Sequence, residues 1–278
     1  MFSRRLGRRK AAVLGLAVLG LIGVVALLAP ALAPYDPLKI DPAGALSPPT
    51  LQHPLGTDQY GRDILSRVMV GARLSLMTGL GAVAIALTAG VILGLISGVF
   101  GGWTDLLFMR VIDIMMAFPG ILMALVVVAV LGHGTANVMV AVGASLIPTF
   151  VRLVRGDVLS VKENTYVEAA RALGCGQARL ALRHVFPNIV APVVVLSTVA
   201  IAWSIILGAS LSFLGLGPRP PIPEWGIDLS NGRSYLLRAW WISSVPGLCI
   251  MLTVVAVNLV GDALRDELDP RLRTLANL

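Results

Sequence analysis

From Leu74 to Phe100 the chain carries no charged side chain, and neither does the stretch from Val185 to Gly217. Runs of that length leave few options, because roughly 17 to 25 apolar residues in a row are what a helix needs to cross the hydrocarbon of a bilayer. Four further stretches come close to the same length: Ala11–Ala33, Ile114–Gly132, Thr135–Val151 and Ala239–Gly261. With 56% hydrophobic and only 13% charged residues, the chain is too apolar to be solvated as an ordinary globule. The reading is an all-α, polytopic membrane protein with six transmembrane helices.

Orientation follows from the basic residues, since cytoplasmic loops carry their excess. Six spans put both termini on one side, and that side collects 15 of the 22 Lys and Arg, among them Arg4, Arg5, Arg8, Arg9, Lys10, Arg110, Arg265, Arg271 and Arg273. The N- and C-termini are therefore expected in the cytoplasm. This bias accounts for the net charge of +7, so a nucleic-acid partner is not required and membrane lipid is the solvent expected. The basic tail, apolar run and Ala31-Leu32-Ala33 imitate a secretory signal peptide. The run is longer than a signal's apolar core, and Pro34 follows the would-be cut, so a retained helix is expected. Two cysteines, Cys175 and Cys249, make neither a disulfide framework nor a Cys-based metal site.

The organisation expected is a basic tail (1–10), a first span (11–33), an extracytoplasmic segment with an amphipathic helix (34–72), a transmembrane domain (73–264) interrupted by a cytoplasmic loop (152–184), and a C-terminal tail (265–278). Prolines 34, 37, 42, 48, 49 and 54 should keep the first external segment extended and irregular. After Tyr60 a helical pattern sets Ile64, Leu65, Val68, Met69 and Ala72 against Arg62, Ser66, Arg67 and Arg73, with Asp63 and Arg67 spaced as an i,i+4 pair. It reads either as an amphipathic helix on the outer interface or as a plain extension of the second span. Gly90, Gly94 and Gly98 clear one stripe of that span for close helix packing. Kinks are expected near Pro119, Pro148, Pro192 and Pro246. Between Pro218 and Arg238, prolines and nearby tryptophans point to a shaped outer surface.

The loop from Arg152 to His184 is too polar for the bilayer and too patterned for a random connector. Thr165 and Glu168 have the spacing of a capping box that starts a helix. Tyr166, Ala169, Ala170 and Leu173 then recur as a narrow apolar stripe, and Gly174 stands where a helix C′ residue takes positive φ. So short a helix is marginal alone and needs tertiary contacts. A second helical run with Arg179 and Arg183 one turn apart leads to Pro187 and the fifth span.

Glu168-Ala169-Ala170, three residues, Gly174, nine residues and His184-Val185-Phe186-Pro187 resemble the EAA loop of ATP-binding-cassette (ABC) importer permeases, with His184 and Phe186 in place of the usual Ile and Leu. The segments from His53 (HPLGTDQYGRDILSRVMVGARLSL), Ser212 (SFLGLG) and Asn258 (NLVGDALRDELDPR) are similar to the C-type permease subunit of the oligopeptide, dipeptide and nickel subgroup. The resemblance implies the type I importer permease architecture. It makes Thr165, Tyr166, Glu168, Ala169, Ala170, Leu173 and Gly174 the element that couples the chain to a cytoplasmic ATPase. It further implies a second homologous permease, two ATPase subunits holding ATP and Mg, and an extracytoplasmic solute-binding protein, with no cofactor on this chain. Dipeptides or short oligopeptides are the expected cargo, with nickel the alternative.

Other classes fit less well. None of the three lysines, Lys10, Lys39 and Lys162, follows a glycine as a P-loop requires, so the chain is not expected to hydrolyse nucleotide. A transporter driven by an ion gradient needs an intramembrane carboxylate, and the one acidic candidate, Asp113, has Arg110 one turn before it as a local partner. The spans hold no nucleophile and base pattern for an intramembrane enzyme.

Overall fold

In a computed structural model, which describes residues 2–268 (side chains from Lys10 onward), the regular structure is all helix, with no strand among the described residues. The C-terminal residues 269–278, with Arg271 and Arg273, lie outside the described residues. Five helices are long and apolar enough to cross a membrane: α1 (Phe2–Leu32), α2 (Ile64–Phe100), α5 (Thr135–Lys162), α8 (Phe186–Phe213, preceded without a break by α7, Gln177–Arg179, and a π-helical turn, Leu180–Val185) and α10 (Trp241–Leu268). The expected third span, Ile114–Gly132, is not one helix. It is a pair, α3 (Gly102–Met116) and α4 (Gly120–Leu131), bent by 95°. Pro119 explains the break, because proline has no N–H to donate and its ring drives the preceding residue out of helical geometry. The helices continue through Pro148, Pro192 and Pro246.

The α3–α4 pair carries the chain back across the bundle, so α2 and α5 run parallel. Glycine makes their seam: a Cβ on Gly90 would stand 2.2 Å from the Phe150 Cβ, one on Gly94 2.7 Å from that of Val154, and one on Gly98 2.6 Å from a Val158 methyl. Lipid is as apolar as the side chains, so close van der Waals contact, rather than escape from water, holds such helices together. From the other side α8 runs antiparallel, placing Ser204 and Gly208 beside Gly79 and Thr78 at one end and Val185 and Ile189 beside Val99 at the other. Ala82, Val128, Val142, Phe150 and Leu211 fill the centre. α1 packs along α10, where Gly15 lies against Ala256 and Leu259.

At the N-terminal end of α2 sits a polar cap built from residues 33–63 and 218–241. The first external segment is irregular as expected, with one 3₁₀ turn (Pro42–Gly44), but it is not extended: backbone hydrogen bonds such as Asp41–Tyr60, Leu46–Asp58 and Thr57–Ser47 fold it back on itself. Of the two expectations for the stretch after Tyr60, the chain follows the continuous one: α2 runs unbroken from Ile64, and Arg62, Ser66 and Arg67 are buried rather than facing lipid headgroups. The Asp63–Arg67 side-chain pair does not form. Asp63 caps α2, accepting from the backbone N and Oγ of Ser66 at 2.7 Å each, while Arg67 turns to Asp228 and to the carbonyls of Pro37 and Pro221. After the prolines of the second external segment comes a further short helix, α9 (Trp225–Gly232), capped by Glu224. Trp225 is buried, its indole N–H donating to the Val68 carbonyl at 2.9 Å.

Candidate functional site

At the opposite end of the bundle, the polar loop expected over 152–184 turns out mostly helical. α5 runs on to Lys162 because polarity marks where a helix leaves the apolar solvent, not where its hydrogen bonds stop. Helix α6 (Thr165–Ala172) follows after Glu163 and Asn164. Its start differs from the expected capping box. Asn164, with extended backbone, is the N-cap, Thr165 is already helical, and neither it nor Glu168 makes a side-chain capping bond. Asn164 makes no side-chain capping bond either; its amide donates back to the Val161 carbonyl at 3.1 Å.

The C-terminal end is as expected. Gly174 has φ +85°, and the amides of Gly174 and Cys175 bond to the carbonyls of Arg171 and Ala170. These are the two bonds of a Schellman motif, whose left-handed residue glycine occupies without a Cβ clash.

The stripe of Tyr166, Ala169 and Leu173 does not face the bundle. Leu173 is 88% exposed and Tyr166 45%, whereas Val167, between them, is fully buried where α6 meets α5 and the π turn. Val167 is the anchor that sequence reading missed. On an eight-residue helix with apolar residues on two sides, periodicity does not say which side the neighbour covers. Glu168 and Ala169 are exposed and Ala170 is partly covered. The Glu168 carboxylate has no bonding partner among the described residues. Tyr166 is also tied inward, its hydroxyl accepting from the Asn188 amide at 3.0 Å. Asn188 bonds in turn to the His184 carbonyl at 2.7 Å. His184 lies in the π turn that precedes Pro187, whose missing N–H frees a backbone carbonyl there.

Two ion pairs brace this end. Arg155 on α5 holds both oxygens of Asp105 on α3 (2.5 and 2.7 Å), and Arg152 reaches Asp113 at 2.7 Å. Asp113 therefore pairs across helices, not with Arg110 as its spacing implied. The arrangement offers a short, rigidly ended helix with an apolar and acidic face turned outward and one valine turned in.

The comparisons with known proteins agree in kind. Residues 90–274 match the family described as the binding-protein-dependent transport system inner membrane component, and residues 1–49 match the N-terminal transmembrane domain of oligopeptide transport permease C. The chain is 44% identical over 281 residues to the di/tripeptide transport system permease protein DppC of Pseudomonas aeruginosa, covering 99% of this chain and 93% of that one. It is 46% identical over 275 residues to the glutathione transport system permease protein GsiD of Pectobacterium atrosepticum (98% and 91% covered), and 41% identical over 271 residues to the dipeptide permease DppC of Alkalihalophilus pseudofirmus (98% and 89%). A chain of the MetNI methionine ABC transporter in an inward-facing conformation shares the fold, with TM-score 0.60 at 15% identity over 73% of this chain and 96% of that one. With a family match spanning most of its length and full-length relatives above 40% identity, this chain belongs to the inner-membrane permease subunits of binding-protein-dependent ABC importers, as a multi-pass membrane protein.

Proposed function

We propose that the chain is one half of the translocation path of an ATP-driven importer of dipeptides or short oligopeptides, and that α6 is its coupling helix. The outward face of α6 carries this reading: Tyr166, Ala169 and Leu173 stand exposed beside an unpartnered Glu168, on a helix stopped rigidly at Gly174. In water such an apolar face is best explained by a partner that covers it. That partner is a cytoplasmic ATPase subunit, which holds ATP and Mg. A second, homologous permease completes the path, a second ATPase completes the motor, and an extracytoplasmic binding protein delivers cargo to the cap. Both termini lie in the cytoplasm, in line with the 15 of 22 basic residues on that side. Closure and reopening of the ATPases would carry α6 with them and bias the bundle between two states. Asp113, the carboxylate that the sequence offered to a proton-driven transporter, is paired with Arg152, which favours the ATP-driven reading.

Glutathione is the second reading for the cargo, favoured by relatives named as glutathione permeases at 46–48% identity. Reconstitution of the chain with its gene neighbours in proteoliposomes tests both. Uptake of labelled dialanine or glutathione should require ATP inside and persist when the proton gradient is collapsed. Uptake that follows the gradient and ignores ATP would remove the proposal.

A further inference from the structure

α6 is joined to α5 by only two residues, so whatever holds the last turn of α5 also holds the root of α6. The last residue of α5 is Lys162, whose ammonium donates to the carbonyl oxygens of Gly98 at 2.8 Å and Val99 at 3.1 Å. Those carbonyls belong to the final turn of α2, which ends at Phe100. The last four carbonyls of a helix have no intrahelical partner and carry the negative end of its dipole, so a cation there is doubly favoured. Two turns earlier on α5, Arg155 grips Asp105 in the first turn of α3, and Asp105 also accepts from the Ser97 hydroxyl on α2. Gly101 and Gly102, both at positive φ and each with open space where a Cβ would stand, form the corner between α2 and α3. Lys162 thus bridges α2 and α5 two residues before α6.

We propose that Lys162 is a positioning residue that makes the last turn of α2 and the root of α6 move as one body, so that displacement of α6 enters α2 together with α5. The inference rests on α6 being the coupling helix. It assigns the load path within this chain: through Lys162 into α2, and through the Tyr166–Asn188 contact into α8. Without the ammonium, the final turn of α2 would follow α5 only through the Gly98–Val158 contact and the Arg155–Asp105–Ser97 tie, both one turn or more further from α6.

The test uses the reconstituted importer and the number of ATP molecules hydrolysed per labelled peptide transported. Lys162→Met keeps an unbranched side chain one atom shorter and removes its donors. It should leave assembly and ATP hydrolysis intact while raising ATP spent per peptide about tenfold, the scale of one charged hydrogen bond lost. Lys162→Arg should restore coupling. A wild-type ratio in K162M overturns the proposal, and so does loss of ATPase binding, which would make Lys162 an external contact. The unmodified complex supplies a second measurement independent of any variant's folding: hydrogen exchange at the end of α2 (residues 98–101) and in α6 should respond together to ATP. A response confined to α6 also overturns it. If Leu173→Ala leaves ATPase binding and transport unchanged, the reading of α6 itself fails. If Leu173→Ala uncouples and K162M does not, only the role of Lys162 fails.

Discussion

The guanidinium of Arg67 in the first turn of α2 is buried against the carboxylate of Asp228 in α9, 161 residues further along the chain. Arg67 also donates to the carbonyls of Pro37 and Pro221, at 3.0 and 3.3 Å, so one side chain joins three segments of the cap. Asp228→Ala would leave that guanidinium buried with one counter-charge, Asp58 at 3.9 Å, which Arg62 already holds at 2.6 Å, an arrangement expected to lose about 3 kcal/mol. Thermal unfolding of the purified chain in detergent should show the loss. Replacing both residues with apolar ones (R67M with D228L) should recover most of it.

Glu224 gives the cap a pH dependence. Burial holds its carboxyl above the usual carboxylate range, an effect only partly offset by the amides of Gly226 and Ile227 that donate to it. The folded chain therefore keeps this proton to a higher pH than the unfolded chain does. The stabilising contribution is complete below the unfolded value, about 4.3, and is lost as pH rises through the folded one. The melting temperature should fall with rising pH across that interval, and Glu224→Gln should flatten the slope.

The glycine seam between α2 and α5 separates two kinds of glycine. At Gly94 a Cβ alone would stand 2.7 Å from that of Val154, so Gly94→Leu should force the helices apart, at an overpacking cost of about 1–3 kcal/mol. A Cβ at Gly156 meets nothing within 4 Å, and Gly156→Ala should stabilise α5 by about 0.5–1 kcal/mol. Paired melting curves distinguish the two directions.

On α6 two apolar residues should behave oppositely. Val167 is fully buried, and its truncation to alanine removes about two methylene equivalents of packing, roughly 1.6 kcal/mol, from the contact that seats the helix. Leu173 is 88% exposed, so Leu173→Ala should change stability by less than about 0.5 kcal/mol. Pull-down with the ATPase subunits should nevertheless weaken for Leu173→Ala, by about 1 kcal/mol or more if it is an anchor of the interface.

Gly174 was legible from spacing alone, because positive φ after a helix is a local requirement that glycine meets without strain. The glycine stripe on α2 was legible as a packing face for a related reason, though not its partner, since nothing local names Phe150, Val154 and Val158. Pro119 announced a disturbance, but whether a proline bends a span or folds it back depends on its neighbours. Pro148 and Pro192 stay within continuous helices, where adjacent helices support the backbone.

The pairings that sequence spacing proposed, Asp63 with Arg67 and Asp113 with Arg110, were both local; Arg67 and Asp113 instead found partners far along the chain, while Asp63 caps its own helix. Glu224 as a helix cap had no recognisable signal, since glutamate is not among the preferred capping residues. Val167 was overlooked because burial on so short a helix is decided by the π turn laid against it.

Residue chemistry alone determined that this chain lives in a membrane, roughly where it crosses, and that a short, glycine-stopped helix stands between its later spans. Transfer between water and lipid is a property of each side chain with its solvent, so it is written in order along the chain. Tertiary structure decided which charge meets which, which face of α6 turns outward, and how Lys162 comes to sit on the end of α2. Those depend on distances between residues remote in sequence, and such distances exist only once the helices have packed.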